Sequence, residues 1–155
     1  MYKIMEEIKF TINRVEKAKL LKKQGYNCAQ TVFLTFSDIL DIDEVTAIKL
    51  TQPLGLGISG LREVCGVITA MSLVLGIYMG TVDTKDNDTK KKLYKTINEI
   101  AEEFRKENGS LVCKELRGIA DGVYPNIKNK PCIEYIYDVV VLLEKTLLPE
   151  EKYKI

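Results

Sequence analysis

The side chains with the greatest capacity for chemistry in this sequence are its four cysteines, Cys28, Cys65, Cys113 and Cys132. The chain contains no histidine, so neither a Ser-His-Asp triad nor a Cys-His nucleophile pair can form within it. The usual catalytic zinc sites and histidine-ligated haem are excluded for the same reason. Sulfur chemistry therefore has the best supply of residues.

Each cysteine is predicted to lie in or next to the first turn of a helix. The features that predict these helix starts are the caps Asn27 and Ser110, the proline Pro131 and the apolar segment after Cys65. The free N–H groups and the dipole at a helix N-terminus favour negative charge. A thiol placed there is expected to have a lowered pKa and to react as the thiolate. Arg62 and Lys114 are nearby cations.

The cysteines are separated by 37, 48 and 19 residues, and no C-x-x-C motif occurs. Neither a thioredoxin-type dithiol nor a zinc ribbon can therefore be read locally, and the fold must assemble any pair or cluster.

Three interpretations remain open. In a thiol redox protein, Cys28 and Cys65 would meet, and Cys113 and Cys132 would form a second or resolving pair. In a metal carrier, the four thiolates would bind Zn²⁺ or an iron–sulfur cluster. In a helical interaction module, including a homodimer, the cysteines would only pack.

Glycines are concentrated before and just after Cys65, at Gly55, Gly57, Gly60 and Gly66. Such glycines can let backbone N–H groups approach an anion or a cofactor closely, which makes these four the candidate cofactor-binding residues. The alternative is a tight loop that needs positive φ. The spacing matches neither a P-loop nor a dinucleotide-binding fingerprint.

Apolar residues recur at helical spacing along most of the chain, without strict alternation. This pattern predicts one all-α domain over residues 1–155, a bundle of six or seven helices. Its central helix is predicted at about 64–80, an uncharged segment too short to span a membrane and expected to be buried on all sides. A first helix is predicted from Ile4, Ile8, Ile12, Val15 and Leu20, and a loop over 119–131. Further helix boundaries are predicted at Gly25, Asp43, Asn108 and Gly109.

Charge and targeting features narrow the function further. The 23 basic and 22 acidic side chains give a net charge of +1, which argues against a nucleic-acid-binding protein. The N-terminus lacks the apolar core of a signal peptide, so a cytoplasmic location is expected. In that compartment, several cysteines more often indicate metal or redox chemistry than structural disulfides.

Four pieces of the sequence carry a family resemblance. They are residues 25–30 (GYNCAQ), residues 65–70 (CGVITA), residues 113–116 (CKEL) and Cys132. The sequence resembles the C_GCAxxG_C_C family of redox-active proteins over about residues 12–145. Val67 and Ala70 replace the alanine and the second glycine of the family pattern. The resemblance implies a redox role for the cysteines and a small accessory protein with a redox or transporter-associated partner. Some relatives are similar to part of a split-Soret cytochrome, but haem attachment is unsupported here because histidine is absent.

Overall fold

The computed structural model describes residues 13–122 and 126–149. Within these ranges the fold is all-α, as predicted. Its helices are α1 (Arg14–Lys23), α2 (Cys28–Thr35), α3 (Glu44–Thr51), α4 (Gly66–Met79), α5 (Asn87–Asn108), α6 (Cys113–Leu116) and α7 (Cys132–Leu147). Two short 3-10 turns cover Ser37–Ile39 and Gln52–Leu54. An isolated antiparallel bridge joins Val64 and Val112.

Helix α2 occupies the middle of the bundle. It starts with a capping box, in which Asn27 accepts from the Gln30 N–H and the Gln30 side chain accepts from the Asn27 N–H. Both partners satisfy N–H groups that would otherwise lack a partner at the helix start. Every residue of α2 after Cys28 is buried, and α1, α3, α4 and α7 all pack on it. The cap therefore fixes the position of Cys28 relative to four other helices.

Helix α4 is the apolar helix predicted at about 64–80. Its N-terminal part is fully buried at Val67, Ala70 and Met71. Its C-terminal part reaches the surface, where Ile77 is 40% and Tyr78 46% exposed. The expectation of burial on all sides is therefore wrong for the last turn. No helix among the described residues has the length and apolar character needed to cross a membrane.

The N-terminal helix is held to the bundle by a buried arginine. Arg14 donates to the Thr35 carbonyl at 2.7 Å and to both carboxylate oxygens of Asp38, and its guanidinium lies 4.9 Å from the Phe36 ring centroid. The helix ends before Gly25, as predicted, with φ at +98°. The apolar face predicted for this helix is confirmed at Val15, which packs against the core, but not at Leu20, which is 46% exposed. Ile4, Ile8 and Ile12 lie outside the described residues.

The remaining boundaries follow the predicted caps with one exception. Asp43 caps α3, and Gly109 ends α5 with φ at +91°. Ser110 was predicted to cap the next helix, but Val112 is the N-cap of α6. The Ser110 hydroxyl instead accepts from the Val112 N–H and donates to Glu115. The described parts of the predicted loop, 119–122 and 126–131, contain no helix.

Candidate functional site

All four cysteines lie at helix N-termini, as the sequence predicts. Cys28, Cys113 and Cys132 are the first residues of α2, α6 and α7, and Cys65 is the N-cap of α4. Cys113 lies nearer to its helix start than predicted, because α6 begins after Val112 rather than after Ser110. Each of the four thiols of the chain therefore lies at the start of a different helix.

The fold brings these four helix starts to one small cavity of about 40 Å³. This volume has room for about three water-sized atoms. Its lining consists of the four cysteines together with Leu56, Arg62, Gly66, Val67, Leu116, Arg117 and Tyr135. Cysteines up to 104 residues apart in the sequence, Cys28 and Cys132, therefore share one site, which no local motif indicates.

A short antiparallel bridge joins the segment of Cys65 to that of Cys113. The Cys65 N–H donates to the Leu111 carbonyl at 2.8 Å, and the Cys113 N–H donates to the Glu63 carbonyl at 2.6 Å. Cys65 and Cys113 are thus diagonal neighbours across the bridge, on the same face of the paired backbone. The bridge places the start of α6 beside the start of α4.

The glycine-rich segment before Cys65 forms a left-handed turn. Positive φ occurs at Leu56, Gly57, Ile58, Ser59, Gly60 and Arg62. The turn closes with a hydrogen bond from the Ser59 N–H to the Gly55 carbonyl at 2.9 Å. Each non-glycine residue in this conformation costs roughly 1–2 kcal/mol. The tight loop with positive φ is therefore observed, although several of its strained positions are not glycines.

Two glycines allow close contact with cysteine side chains. A Cβ added to Gly66 would lie 2.6 Å from the Cys28 sulfur, and one added to Gly57 would lie 2.6 Å from the Cys113 Cβ. Real Cβ atoms essentially never come this close to a neighbour. Because Gly66 and Gly57 have no side chain, α2 and α6 can approach the glycine-rich segment.

The other two predicted glycines act elsewhere. A Cβ on Gly55 would lie 2.5 Å from Nδ2 of Asn27, so this glycine makes room for the cap of α2. Gly60 has φ at +89° and nothing within 4 Å of an added Cβ. Of the four candidate cofactor-binding glycines, Gly66 alone lines the cavity. Cofactor binding by these glycines remains a prediction.

Two arginine side chains face two of the sulfurs. Arg117 Nη1 donates to the Cys132 sulfur at 3.2 Å, and Arg62 Nη1 donates to the Cys113 sulfur at 3.8 Å. A positively charged donor stabilises a thiolate more than a thiol. Arg62 was among the predicted cations, whereas Lys114 instead pairs with Glu63 at 3.3 Å. Sequence reasoning missed Arg117, which precedes Cys132 by 15 residues and carries no local signal.

Burial affects the pKa values of Cys65 and Cys28. Burial raises the pKa of Cys65 far above its usual range. Burial also raises the pKa of Cys28, although a hydrogen bond from the Leu56 backbone opposes the effect. Among the neighbouring thiols, Cys132 raises the pKa of Cys28 more than Cys113 does. The expected lowering at a helix start is therefore wrong for Cys28 and Cys65, because desolvation outweighs the helix N-terminus.

The four thiols are free and do not form a ready metal site. In the described ranges, no three His, Cys, Asp or Glu side chains are grouped so that they could hold a metal ion. Tetrahedral coordination with Zn–S bonds of about 2.3 Å would place the sulfurs about 3.8 Å apart. The cysteines line the cavity without reaching that arrangement.

Comparison with known proteins adds one match. The family model described as "Putative redox-active protein (C_GCAxxG_C_C)" matches residues 26–146. The matched span contains all four cysteines, the left-handed turn and both arginines of the cavity. No curated protein and no solved structure matches the sequence.

Proposed function

The chain belongs to the C_GCAxxG_C_C family of redox-active proteins, and we propose that its redox activity is reversible oxidation of the thiols around the cavity. The observation that carries this proposal is the convergence of all four cysteines on one site. Two neighbouring thiols release two electrons and two protons when they form a disulfide. A cavity with four thiols offers two such dithiols.

We assign the attacking role to Cys132. Its side chain is half-buried, so a partner can reach it, and the Arg117 guanidinium lies 3.2 Å from its sulfur. It also opens α7, a helix of 16 residues, whose dipole favours a negative charge at this end. The Cys132 thiolate attacks a disulfide on a partner protein. A mixed disulfide forms, and the second partner sulfur leaves as a thiolate.

The resolving role falls to Cys28. It lines the same cavity as Cys132, and Cys132 raises its pKa more than Cys113 does. Cys28 is also the thiol with the largest influence on the pKa of Cys65, so disulfide mapping must distinguish Cys28–Cys132 from Cys28–Cys65. The Cys28 thiol gives its proton to the leaving partner thiolate and attacks the Cys132 sulfur. The bond to the partner breaks, the partner's remaining sulfur leaves as a thiolate that takes up a proton from water, and a Cys28–Cys132 disulfide remains. Cys65 and Cys113, linked through the bridge, form the second dithiol.

This pairing differs from the pairing expected from the sequence, which joined Cys28 to Cys65 and Cys113 to Cys132. The experiment is disulfide mapping of the protein after oxidation with glutathione disulfide, with thiols counted before oxidation, after oxidation and after renewed reduction. We expect two or four thiols to disappear and to return. Cys132→Ser and Cys28→Ser should abolish the first disulfide, whereas Cys65→Ser should retain it and serves as the matched control.

The outcome that contradicts the proposal is four free, slowly reacting thiols under every condition. If cysteine substitutions then change only stability, the chain is a helical interaction module with packed cysteines. Its oligomeric state, a homodimer included, would become the property to measure.

A second function is favoured by the same convergence of four sulfurs. If the side chains turn inward, the cavity supplies a complete four-cysteine ligand set for Zn²⁺ or an iron–sulfur cluster. Anaerobic purification followed by metal analysis and an absorption spectrum separates the two functions. About one Zn²⁺ per chain, or a visible charge-transfer band, would favour metal binding. Reversible loss of thiols in metal-free protein would favour disulfide chemistry.

A further inference from the structure

Tyr135 lies where the helix of Cys113 meets the helix of Cys132. It is 1% exposed, and it lines the cysteine cavity. It follows Cys132 by three residues on α7, so the two residues lie about one turn apart on the same side of the helix. The thiol chemistry described above gives this buried tyrosine no part.

The Tyr135 hydroxyl joins the end of α6 to the segment before α7. It donates to the Leu116 carbonyl at 3.2 Å and accepts from the Lys130 N–H at 3.2 Å. Leu116 is the last residue of α6, where carbonyl groups lack partners within the helix. Among the described residues, no backbone N–H donates to this carbonyl. One buried hydroxyl therefore satisfies two backbone groups on different segments and fixes their separation.

The ring that carries this hydroxyl is itself held in place. The Phe104 ring packs against it, with the two centroids 5.9 Å apart. Lys130 Nζ lies 5.4 Å from the Tyr135 ring centroid and forms an ion pair with Asp138 at 2.7 Å. A buried ring with an aromatic and a cationic neighbour keeps one orientation. The hydroxyl therefore points to the end of α6 as a fixed feature of the site.

The Leu116 carbonyl belongs to the same planar peptide group as the Arg117 N–H. The hydrogen bond from Tyr135 therefore also fixes the backbone from which the Arg117 side chain extends. That side chain returns to the start of α7, where its Nη1 donates to the Cys132 sulfur at 3.2 Å. Contacts thus run from Cys132 along α7 to Tyr135, across to Leu116, and through Arg117 back to Cys132.

We infer that Tyr135 is a positioning residue, whose hydroxyl holds Arg117 against the sulfur of Cys132. The inference rests on the proposed function, which assigns the attack to Cys132. Without the hydroxyl, the Leu116 carbonyl and the Lys130 N–H lose their shared partner, and the end of α6 is released from α7. Arg117 then contacts the sulfur less often. Cys132 forms less thiolate at neutral pH, because a guanidinium stabilises a thiolate more than a thiol.

The test is timed labelling of Cys132 with iodoacetamide in the reduced full-length protein, at pH 7.0 and at pH 9.5. The ratio of the rate at pH 9.5 to the rate at pH 7.0 follows the thiolate fraction, because changes in access to the sulfur cancel. Burial raises the pKa of Tyr135, so its hydroxyl keeps its proton in both buffers. Arg117→Gln should raise the ratio up to about tenfold, since it removes a charged donor. Tyr135→Phe should raise it by about threefold, since the arginine remains.

Two further variants show whether the tyrosine acts through the arginine. Tyr137→Phe is the matched control, because Tyr137 is a half-buried tyrosine of the same helix whose hydroxyl makes no hydrogen bond with the described residues. It should keep the wild-type ratio. The double variant Tyr135→Phe/Arg117→Gln should have the same ratio as Arg117→Gln alone, since the hydroxyl then has no arginine to place. Slow labelling of the buried Cys65 shows that each variant is folded.

The outcomes that overturn the inference differ from those that overturn the proposed function. An unchanged ratio in Arg117→Gln or in Tyr135→Phe contradicts the positioning role, and so does a full additional effect of Tyr135→Phe in the double variant. Rapid labelling of Cys65 in Tyr135→Phe would give the hydroxyl a purely structural role. In each of these cases the proposed function stands if oxidation with glutathione disulfide forms the Cys28–Cys132 disulfide. If the ratios change as expected but no disulfide forms, the proposed function fails and the placement of Arg117 by Tyr135 is retained.

Discussion

The sulfur of Cys28 lies directly against the bare Cα of Gly66. A Cβ at this position would approach the sulfur to 2.6 Å and the Leu54 carbonyl oxygen to 2.9 Å. Gly66 opens α4 immediately after Cys65, so its missing side chain lets the start of α2 reach the start of α4. This close approach brings Cys28 to the cysteine cavity.

The first prediction concerns Gly66→Ala. We expect it to lower the free energy of unfolding by about 1–3 kcal/mol, because the added methyl overpacks the contact between α2 and α4. Gly76→Ala is the control on the same helix, where nothing lies within 4 Å of an added Cβ. It should raise stability by roughly 0.5–1 kcal/mol. Urea denaturation of both variants measures the two changes in the free energy of unfolding. Equal changes in Gly66→Ala and Gly76→Ala would contradict the close contact between Gly66 and Cys28.

The left-handed turn gives a second prediction. Gly57→Ala and Gly60→Ala both place a side chain at positive φ, but only the Cβ at 57 would meet Cys113, at 2.6 Å, and Arg62, at 2.7 Å. Both variants should lose about 1–2 kcal/mol from backbone strain, and Gly57→Ala should lose more from the clash. Denaturant titration measures the difference. If Gly60→Ala is as destabilising as Gly57→Ala, the close contact between Gly57 and Cys113 does not limit the size of the side chain at position 57.

The starts of α2 and α7 were predictable because their causes are local, whereas the start of α6 lies two residues beyond the predicted cap Ser110. A cap such as Asn27, or a proline such as Pro131, acts on the adjacent turn whatever the rest of the chain does. The left-handed conformation of Leu56 and Ile58 was not predictable, since neither residue favours it. Hydrogen bonds between parts of the folded turn, such as that from the Arg62 N–H to the Leu56 carbonyl at 3.2 Å, override the local preference.

The site itself was predictable only as a set of residues. The sequence identifies four cysteines, but their convergence depends on contacts between α2, α4, α6 and α7. The contact between Arg117 and Cys132 likewise exists only in the fold. The pKa of Cys65 shows the same limit, because a helix start suggests a lowered value, whereas burial raises it.

A third prediction is the order of thiol alkylation in the reduced protein near neutral pH. Cys132 should react first, because it is half-buried and faces Arg117. Cys65 should react last, because it is buried and its pKa is raised. Timed labelling with iodoacetamide followed by peptide mapping gives the order. Labelling of Cys65 before Cys132 in folded protein would contradict the assigned roles.

A fourth prediction tests the attachment of α1. Burial raises the pKa of Asp38, but the hydrogen bonds and positive charges of Arg14 and Lys17 together outweigh burial and hold the pKa below its usual value. This contribution to stability is present above the unfolded pKa, near 3.9, and is lost as pH falls through the folded value. Asp38→Asn should therefore lower stability by about 2 kcal/mol at neutral pH, with a smaller difference in acid. Asp43→Asn is the control, since asparagine caps a helix as well as aspartate, and its stability should stay close to that of the wild type.

The last prediction follows from the raised pKa of Cys65. In the unfolded chain this thiol ionises near pH 8.5, whereas in the folded protein it keeps its proton to a much higher pH. Above about pH 8.5 the unfolded state therefore binds fewer protons than the folded state, and stability falls as pH rises, by up to about 1.4 kcal/mol per pH unit. Cys65→Ala removes this dependence, so the wild type should lose stability relative to the variant between about pH 8.5 and 10.5.

Val67→Ala also truncates a buried side chain of the cavity but removes no titrating group, so its difference from the wild type should stay constant. Urea denaturation under reducing conditions at several pH values measures all three proteins. Parallel pH profiles for the wild type and Cys65→Ala would show that the Cys65 thiol is not desolvated in the folded protein.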